Sequence, residues 1–159
     1  MNEQSLKNAL EGLPVPEVIY FEETDSTNER ALNLAGTAEE FTLLVADRQT
    51  AGRGRMGRRW VTTPDSSLAF TLILHPTSTE QQFMGFFSFL GGLAVCLAIE
   101  EACDAKPQVK WPNDVLLGGR KTAGILAESQ FQGDMLASTA LGIGINLQKG
   151  AVPPPEEVM

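Results

Sequence analysis

Between Asp47 and Trp60 the chain reads D-R-Q-T-A-G-R-G-R-M-G-R-R-W, which places Arg48, Arg53, Arg55, Arg58 and Arg59, five of the 12 basic residues, in one short stretch. Gly52, Gly54 and Gly57 are threaded between them. Glycine lets a backbone close tightly round a ligand, and the planar guanidinium fork suits phosphate and carboxylate. The chemistry this predicts is the gripping of an anion by a loop. The formal net charge is −8, and residues 1–47 hold ten acids against Lys7 and Arg30 alone. Such a surface repels nucleic acid, which needs a broad basic field. Positive charge confined to one loop suits a small anion.

A second stretch with chemical content is Leu136–Leu147. It alternates so that Gly142, Gly144 and Asn146 share one face while Leu141, Ile143, Ile145 and Leu147 share the other. The leucine and isoleucine face is core. Glycines inside a strand mark close approach, either of a ligand or of a crossing helix. The spacing Gly52-x-Gly54-x-x-Gly57 matches a dinucleotide fingerprint, but that motif opens a helix, and Trp60-Val61-Thr62-Thr63-Pro64 starts helices poorly. We reject that match.

These residues need elements to hold them. Ser5–Leu13 reads as a short amphipathic helix ended by Pro14 and Pro16, and Val18–Phe21 as a strand. Ser26 with Glu29 three residues on predicts a capping box opening a helix through Leu32 and Ala35. Phe41–Ala46 is a strand feeding the arginine loop. Ser67–Leu74 is another, with Leu68, Phe70, Leu72 and Leu74 on one face and an unremarkable His75 at its end. Ser78–Ala102 is the longest helical pattern, with Gly91-Gly92 permitting close approach to a sheet or a kink. Its apolar part, Phe83–Ile99, is interrupted by glycines and too short to span, so a buried helix and no membrane are expected. Gln108–Trp111 is a short strand broken by Pro112-Asn113-Asp114. Val115–Leu117 and Thr122–Gln130 flank Gly118-Gly119, a hairpin pattern. Gln132-Gly133-Asp134 turns into the last strand, and no element is expected after Leu147. The order of elements predicts an α+β fold with a mixed, largely antiparallel sheet. At 159 residues the chain is expected to form one domain, residues 1–159 with core 18–147, burying roughly 70% of its unfolded surface. The N-terminus has no signal-peptide pattern, and Cys96 and Cys103, seven apart on one helical face, are expected in the core of a cytoplasmic protein.

Four separated pieces, Asp25-Ser26-Thr27-Asn28, Asp47–Trp60, Lys110–Asp114 continuing to Arg120–Glu128, and Gly142–Asn146, together resemble the catalytic domain of biotin–protein ligases over residues 18–147. The specific element is G-R-G-R-x-G-R-x-W with K-W-P-N-D downstream. The resemblance implies a sheet related to class II aminoacyl-tRNA synthetases. It also implies that biotin and Mg-ATP give biotinyl-5′-AMP, whose biotinyl group passes to a lysine of a carboxyl carrier protein. It puts Arg53 and Lys121 at the biotin carboxylate and reacting phosphate. Ser26, Thr27 and Gln49 fall at the ureido head, and Gly52, Gly124, Leu126, Gly142 and Gly144 along the apolar trough. Arg55 and Arg58 serve the nucleotide phosphates. Trp60, Trp111, Asn113 and Asn146 lie near the adenine or ribose, and Lys110 and Asp114 near the phosphates. Asp114 is the candidate ligand for Mg²⁺ and the candidate helper of lysine attack. On a regular strand Lys121 and Gly124 point to opposite faces, so a bulge or irregular start is expected there. The glycine-rich loop is expected to close over the adenylate and exclude water.

The same resemblance implies parts this sequence does not show. No winged helix precedes residue 18, so repression through DNA is not expected. The family continues past Asn146 with a helix and a small SH3-like domain, so a chain cut short is expected, with weakened ligand binding and impaired transfer to the carrier. A homodimer through a sheet edge is open to the family. The competing readings are a lipoate or octanoate ligase, a non-catalytic biotin or nucleotide sensor, and an RNA-binding module. The last lacks interleaved aromatic residues.

Overall fold

Seven strands and four helices form where period-two and period-3.6 patterns require them, in a computed structural model that describes residues 2–63 and 65–148. The strands are β1 Val18–Thr24, β2 Leu43–Gln49, β3 Ser67–Leu74, β4 Gln108–Lys110, β5 Asp114–Leu117, β6 Arg120–Gln132 and β7 Met135–Asn146. The helices are α1 Glu3–Ala9, α2 Thr27–Leu34, α3 Ser78–Gln81 and α4 Phe87–Cys103. One sheet takes the order β1-β2-β3-β7-β6-β5-β4. Only β1 and β2 run parallel, and every other pair is antiparallel. This is the mixed α+β arrangement that the element order predicts. Of the stretch after Leu147, where no element is expected, residues 149–159 lie outside the described residues.

Alternation sorts each central strand between two layers. Leu141 and Ile143 of β7 join Ile125 and Val115 beneath Val95 and Cys96 of α4, with Phe70 and Leu74 against them. The opposite face carries Ala31 and Ala35 of α2 on Leu44, Ile73 and Ala140. In β3 the more buried face is therefore Ser67, Ala69, Thr71 and Ile73, under α2, and not the leucine and phenylalanine face. Gly91 lets α4 sit close, since a Cβ there would lie 3.1 Å from Ile125 Cγ2.

Four expectations are corrected. The long helical pattern breaks at Gly85: α3 is one turn, Met84–Phe86 is a 3-10 turn, and α4 starts only at Phe87. Leu90, Leu93 and Leu97 of α4 are exposed although the helix packs on the sheet through its glycines. Cys103 is exposed while Cys96 is buried, because the helix ends at Cys103 and Asp104 turns into the left-handed region. The capping box at Ser26 does not form. Asp25 accepts the Ser26 N–H at 2.7 Å and Gln49 Oε1 accepts that of Thr27 at 2.8 Å, which leaves Glu29 for other work. The Ser26 amide, then the Thr24 hydroxyl and Arg30, hold the Asp25 carboxyl below its usual range.

Where β1 and β2 run side by side, the Tyr20 hydroxyl donates to the Asp47 carboxylate just ahead of the arginine loop. That hydrogen bond, with desolvation and the negative charge behind it, pushes the phenol from 10.0 up to about 12. A folded-state pKa above the unfolded one means the contribution to stability is complete below pH 10 and is lost as pH rises toward 12. Tyr20 is the sole tyrosine, so phenolate absorbance reports it alone. The expected midpoint is close to 12, falling toward 10 in Asp47→Asn; a wild-type midpoint at 10 would remove the pairing.

Candidate active site

The glycine face of the sheet, beside α2, holds a cleft of about 680 Å³ with its open mouth included. The floor is Ala69 of β3, Gly142 and Gly144 of β7, and Gly124 and Leu126 of β6. One wall is the start of α2, with Ser26, Thr27 and Asn28, and the end of β2, with Gln49. The other is Asn113, Asp114 and Lys121. Arg53, Arg55, Arg58, Arg59 and Trp60 form the roof. The five cations face one acid of the lining, Asp114, so the cleft is a well for anions.

The roof is a closed hairpin. Arg53 and Arg59 make an antiparallel bridge, the Gly54 N–H donates to Arg58 O at 2.7 Å, and the Trp60 N–H donates to Gly52 O at 2.9 Å. The tip is a 3-10 turn in which Met56 and Gly57 take φ of 57° and 74°. No helix opens after the glycines, which is why the dinucleotide spacing means nothing here. Arg48 is the exception among the five arginines. It lies on β2 opposite Glu23 and pairs with it, outside the cleft.

Lys121 reaches the cleft as the pattern of faces requires. In the β5–β6 pairing, Val115 faces Ala123 but Leu116 faces Lys121, so Thr122 is an extra residue and the strand changes phase across it. Gly118 and Gly119, with φ of 57° and 76°, make the tight turn before it. The Lys121 ammonium then stands 2.7 Å from Asp114 Oδ1 and 5.7 Å from the centre of the Trp60 ring.

The two floor glycines of β7 make room for protein side chains as well as for the cleft. A Cβ on Gly142 would lie 2.0 Å from Asn28 Oδ1, and one on Gly144 would lie 2.2 Å from Trp60 Cε2. Close approach by a helix residue and by an aromatic ring accounts for both. At the inner end, Gln49 Oε1 accepts from Thr27, Gln49 Nε2 donates to Thr62 at 3.2 Å, and Thr71 donates to Asn28 Oδ1 at 2.7 Å. This end is a set of buried hydroxyls and amides, suited to a neutral polar head group.

Four residues predicted for the site lie outside the lining. Gly52 sits behind the hairpin, where a Cβ would lie 2.4 Å from Trp60 O. Lys110 is at the exposed edge strand β4. Trp111 is 61% exposed and leans on Phe86 and Phe89. Asn146 donates to Lys121 O at 3.4 Å, and its buried Oδ1 has no protein partner. Conversely, sequence reasoning gave no site role to Asn28, Thr71, Arg59, Glu29 or Glu128. Glu128 was open to discovery, since period two from Gly124 and Leu126 puts it on the same face. Asn28 and Thr71 gave no such warning, because their role exists only once α2 lies across β3 and β7.

A magnesium ion would find Asp114 alone, and Lys121 already balances that carboxylate. Among the described residues no three histidine, cysteine or acidic side chains come together. The donor set does not fit a metal held by the protein.

The sequence profile of the biotin/lipoate A/B protein ligase family matches residues 20–146. Over 142 residues the chain is 42% identical to the bifunctional ligase/repressor BirA of Bacillus subtilis, covering 89% of this chain and 43% of that protein. It is 43% identical over 142 residues to the biotin–[acetyl-CoA-carboxylase] ligase of Paracoccus denitrificans, covering 82% and 58%. The fold is similar to a biotin protein ligase from Aquifex aeolicus solved in complex with biotin and ATP. The TM-score is 0.71 and the identity 35%, over 90% of this chain and 56% of that one. The chain thus spans about half the length of the curated relatives it matches.

Proposed function

The chain belongs to the biotin/lipoate A/B protein ligase family, and on that premise we propose that it carries the catalytic site of a biotin–protein ligase. The carrying observation is the convergence of Arg53, Arg55, Arg58, Arg59 and Lys121 over a glycine floor that ends in buried hydroxyls and amides. In the first step a biotin carboxylate oxygen attacks the α-phosphorus of ATP. A new P–O bond forms, the bond to the bridging oxygen of the β-phosphate breaks, and pyrophosphate leaves. Both reactants are anions, and at about 4 Å their repulsion is roughly 4 kcal/mol at an effective dielectric near 20. Arg53 and Lys121 offset that repulsion where the anions meet, and Arg55 and Arg58 hold the remaining phosphates. Ser26, Thr27 and Gln49 take the ureido head. Magnesium enters as the counter-ion of ATP.

In the second step a carrier lysine nitrogen attacks the acyl carbon, the acyl–phosphate bond breaks and AMP leaves. Asp114, on the wall beside Lys121, is the carboxylate able to receive the lysine proton. Such an ATP-consuming ligase is expected in the cytoplasm.

ATP-dependent labelling of a purified carrier domain tests the reading. Biotin is expected to label the carrier, with pyrophosphate released only when biotin is present. Labelling by lipoate instead, or binding of biotin with no pyrophosphate, would replace this reading by a lipoate ligase or a sensor. The hairpin is also expected to close over the adenylate, so biotin with ATP should slow proteolysis between Gly52 and Arg58. An unchanged cleavage rate counts against closure.

A further inference from the structure

Arg53 meets the cleft with two of its nitrogens already engaged. Nη1 lies 2.9 Å from Glu29 Oε2, and Nη2 donates to Glu128 Oε2 at 3.2 Å. The same Glu128 oxygen accepts from Asn28 Nδ2 at 2.8 Å. Asn28 is a fixed post: it is 4% exposed, its Oδ1 accepts from Thr71, and its Nδ2 also reaches Leu126 O at 3.1 Å. Gly142 lies directly beneath it, where a methyl group would collide with that Oδ1 at 2.0 Å. Glu128 itself rises from the middle of β6, paired with Ala140 of β7. One carboxylate oxygen thus bridges a rigid part of the sheet to the hairpin, beside the Arg53–Glu29 pair and the longer Arg55 hydrogen bond to Asn113 Oδ1 at 3.3 Å.

The charge count bears on what this bridge does. By formal charge Glu29 and Glu128 more than cancel Arg53 and Asp114 balances Lys121, so the net excess over the cleft is that of Arg55, Arg58 and Arg59. What Arg53 brings is direction. A guanidinium has five N–H donors in a fixed fork, and two spent on carboxylates orient the other three.

We propose that Glu128 is a positioning residue that docks the arginine hairpin through Arg53 and aims the remaining N–H groups of that arginine at the incoming carboxylate and phosphate. The role in catalysis rests on the ligase reading above; the docking does not. An exposed ion pair contributes little by itself, and Glu128 and Arg53 are 26% and 39% exposed. The effect on rate is through geometry, where small misplacements are costly.

Two measurements decide it. Trypsin cuts after arginine, so the hairpin reports its own docking through cleavage after Arg55 and Arg58. Glu128→Ala and Arg53→Gln should each speed this cleavage roughly two- to fivefold, and the double variant should be no faster than the faster single. Equal cleavage in Glu128→Ala and wild type, or effects that multiply, overturns the docking. In biotin-dependent ATP–pyrophosphate exchange, Glu128→Ala should lower kcat about tenfold while KM for biotin stays within about threefold. Glu128→Gln still accepts from Asn28 and Arg53 and should restore most of kcat. An unchanged kcat in Glu128→Ala, or a Gln variant as slow as the Ala variant, overturns the aiming. Wild-type protein without any exchange would defeat the ligase reading, and the cleavage result would still decide the docking.

Discussion

Lys121→Ala should slow adenylate formation by about two to three orders of magnitude in biotin-dependent ATP–pyrophosphate exchange. Lys121 stands 2.7 Å from Asp114, against the Trp60 ring and over Gly124, so its ammonium is fixed inside the cleft. Removing roughly 4 kcal/mol of compensation between two anions corresponds to about three decades, and the neighbouring arginines recover part of it. Binding of biotin should weaken far less, because Ser26, Thr27 and Gln49 are untouched. The variant also frees Asp114, which adds an uncompensated negative charge to the wall. Arg53→Ala should be of similar order. A Lys121→Ala enzyme within threefold of wild type would take the lysine out of the chemistry.

The second large effect is expected from a single methyl group on the floor. Gly144→Ala sets a Cβ 2.2 Å from Trp60 Cε2 and 2.5 Å from its Nε1, where ordinary contact is 3.4–4 Å. The space over Gly124 on that side is already shared by the ring and the end of the Lys121 side chain, 3.0 and 3.2 Å from where a Cβ would stand. The ring must lift, and Trp60 is the residue whose N–H closes the arginine hairpin on Gly52. Overpacking of this kind costs about 1–3 kcal/mol. For a chain of this size that is a fall in Tm of about 3–10 °C. Loss of biotin binding should accompany it. Gly36→Ala is the control, having nothing within 4 Å and an ordinary φ. Equal thermal melting and equal biotin binding in Gly144→Ala and wild type would show that the floor tolerates a side chain.

Strands were legible where one residue in two is apolar. Ser67–Leu74 is found with its bounds, and the Gly118-Gly119 hairpin with its turn, because both are encoded locally. The arginine cluster and Lys121 were legible for the same reason: charge and glycine stand next to one another in sequence. What escaped was set by packing between distant pieces. Glu29 reads as a capping partner of Ser26, yet the amides it would help to cap go to Asp25 and Gln49, and its carboxylate goes to Arg53. Trp111 reads as a nucleotide contact beside K-W-P-N-D, yet the chain carries it over to Phe86 and Phe89. The exposed side of α4 could not be told from a buried one, since its leucines run round the whole helix. For Glu29 and Trp111 the residue type is right for the inferred role and a competing neighbour, invisible at that range, claims it.

The extra residue at Thr122 gives the hairpin a parity. Counting back from Gly124, an odd step should send a strand side chain to the α4 layer, and the bulge converts the three-residue step to Lys121 into an even one. Removing Thr122 would therefore leave a regular two-residue step, with Lys121 still opposite Leu116 and still on the cleft side. Removing Ala123 as well would leave a one-residue step and carry the ammonium through the sheet, leaving Asp114 alone on one side and a charge against Val95 and Cys96 on the other. For this segment chain length is as chemically specific as residue identity: a lysine with the right neighbours and the wrong count stands in a different layer of the protein.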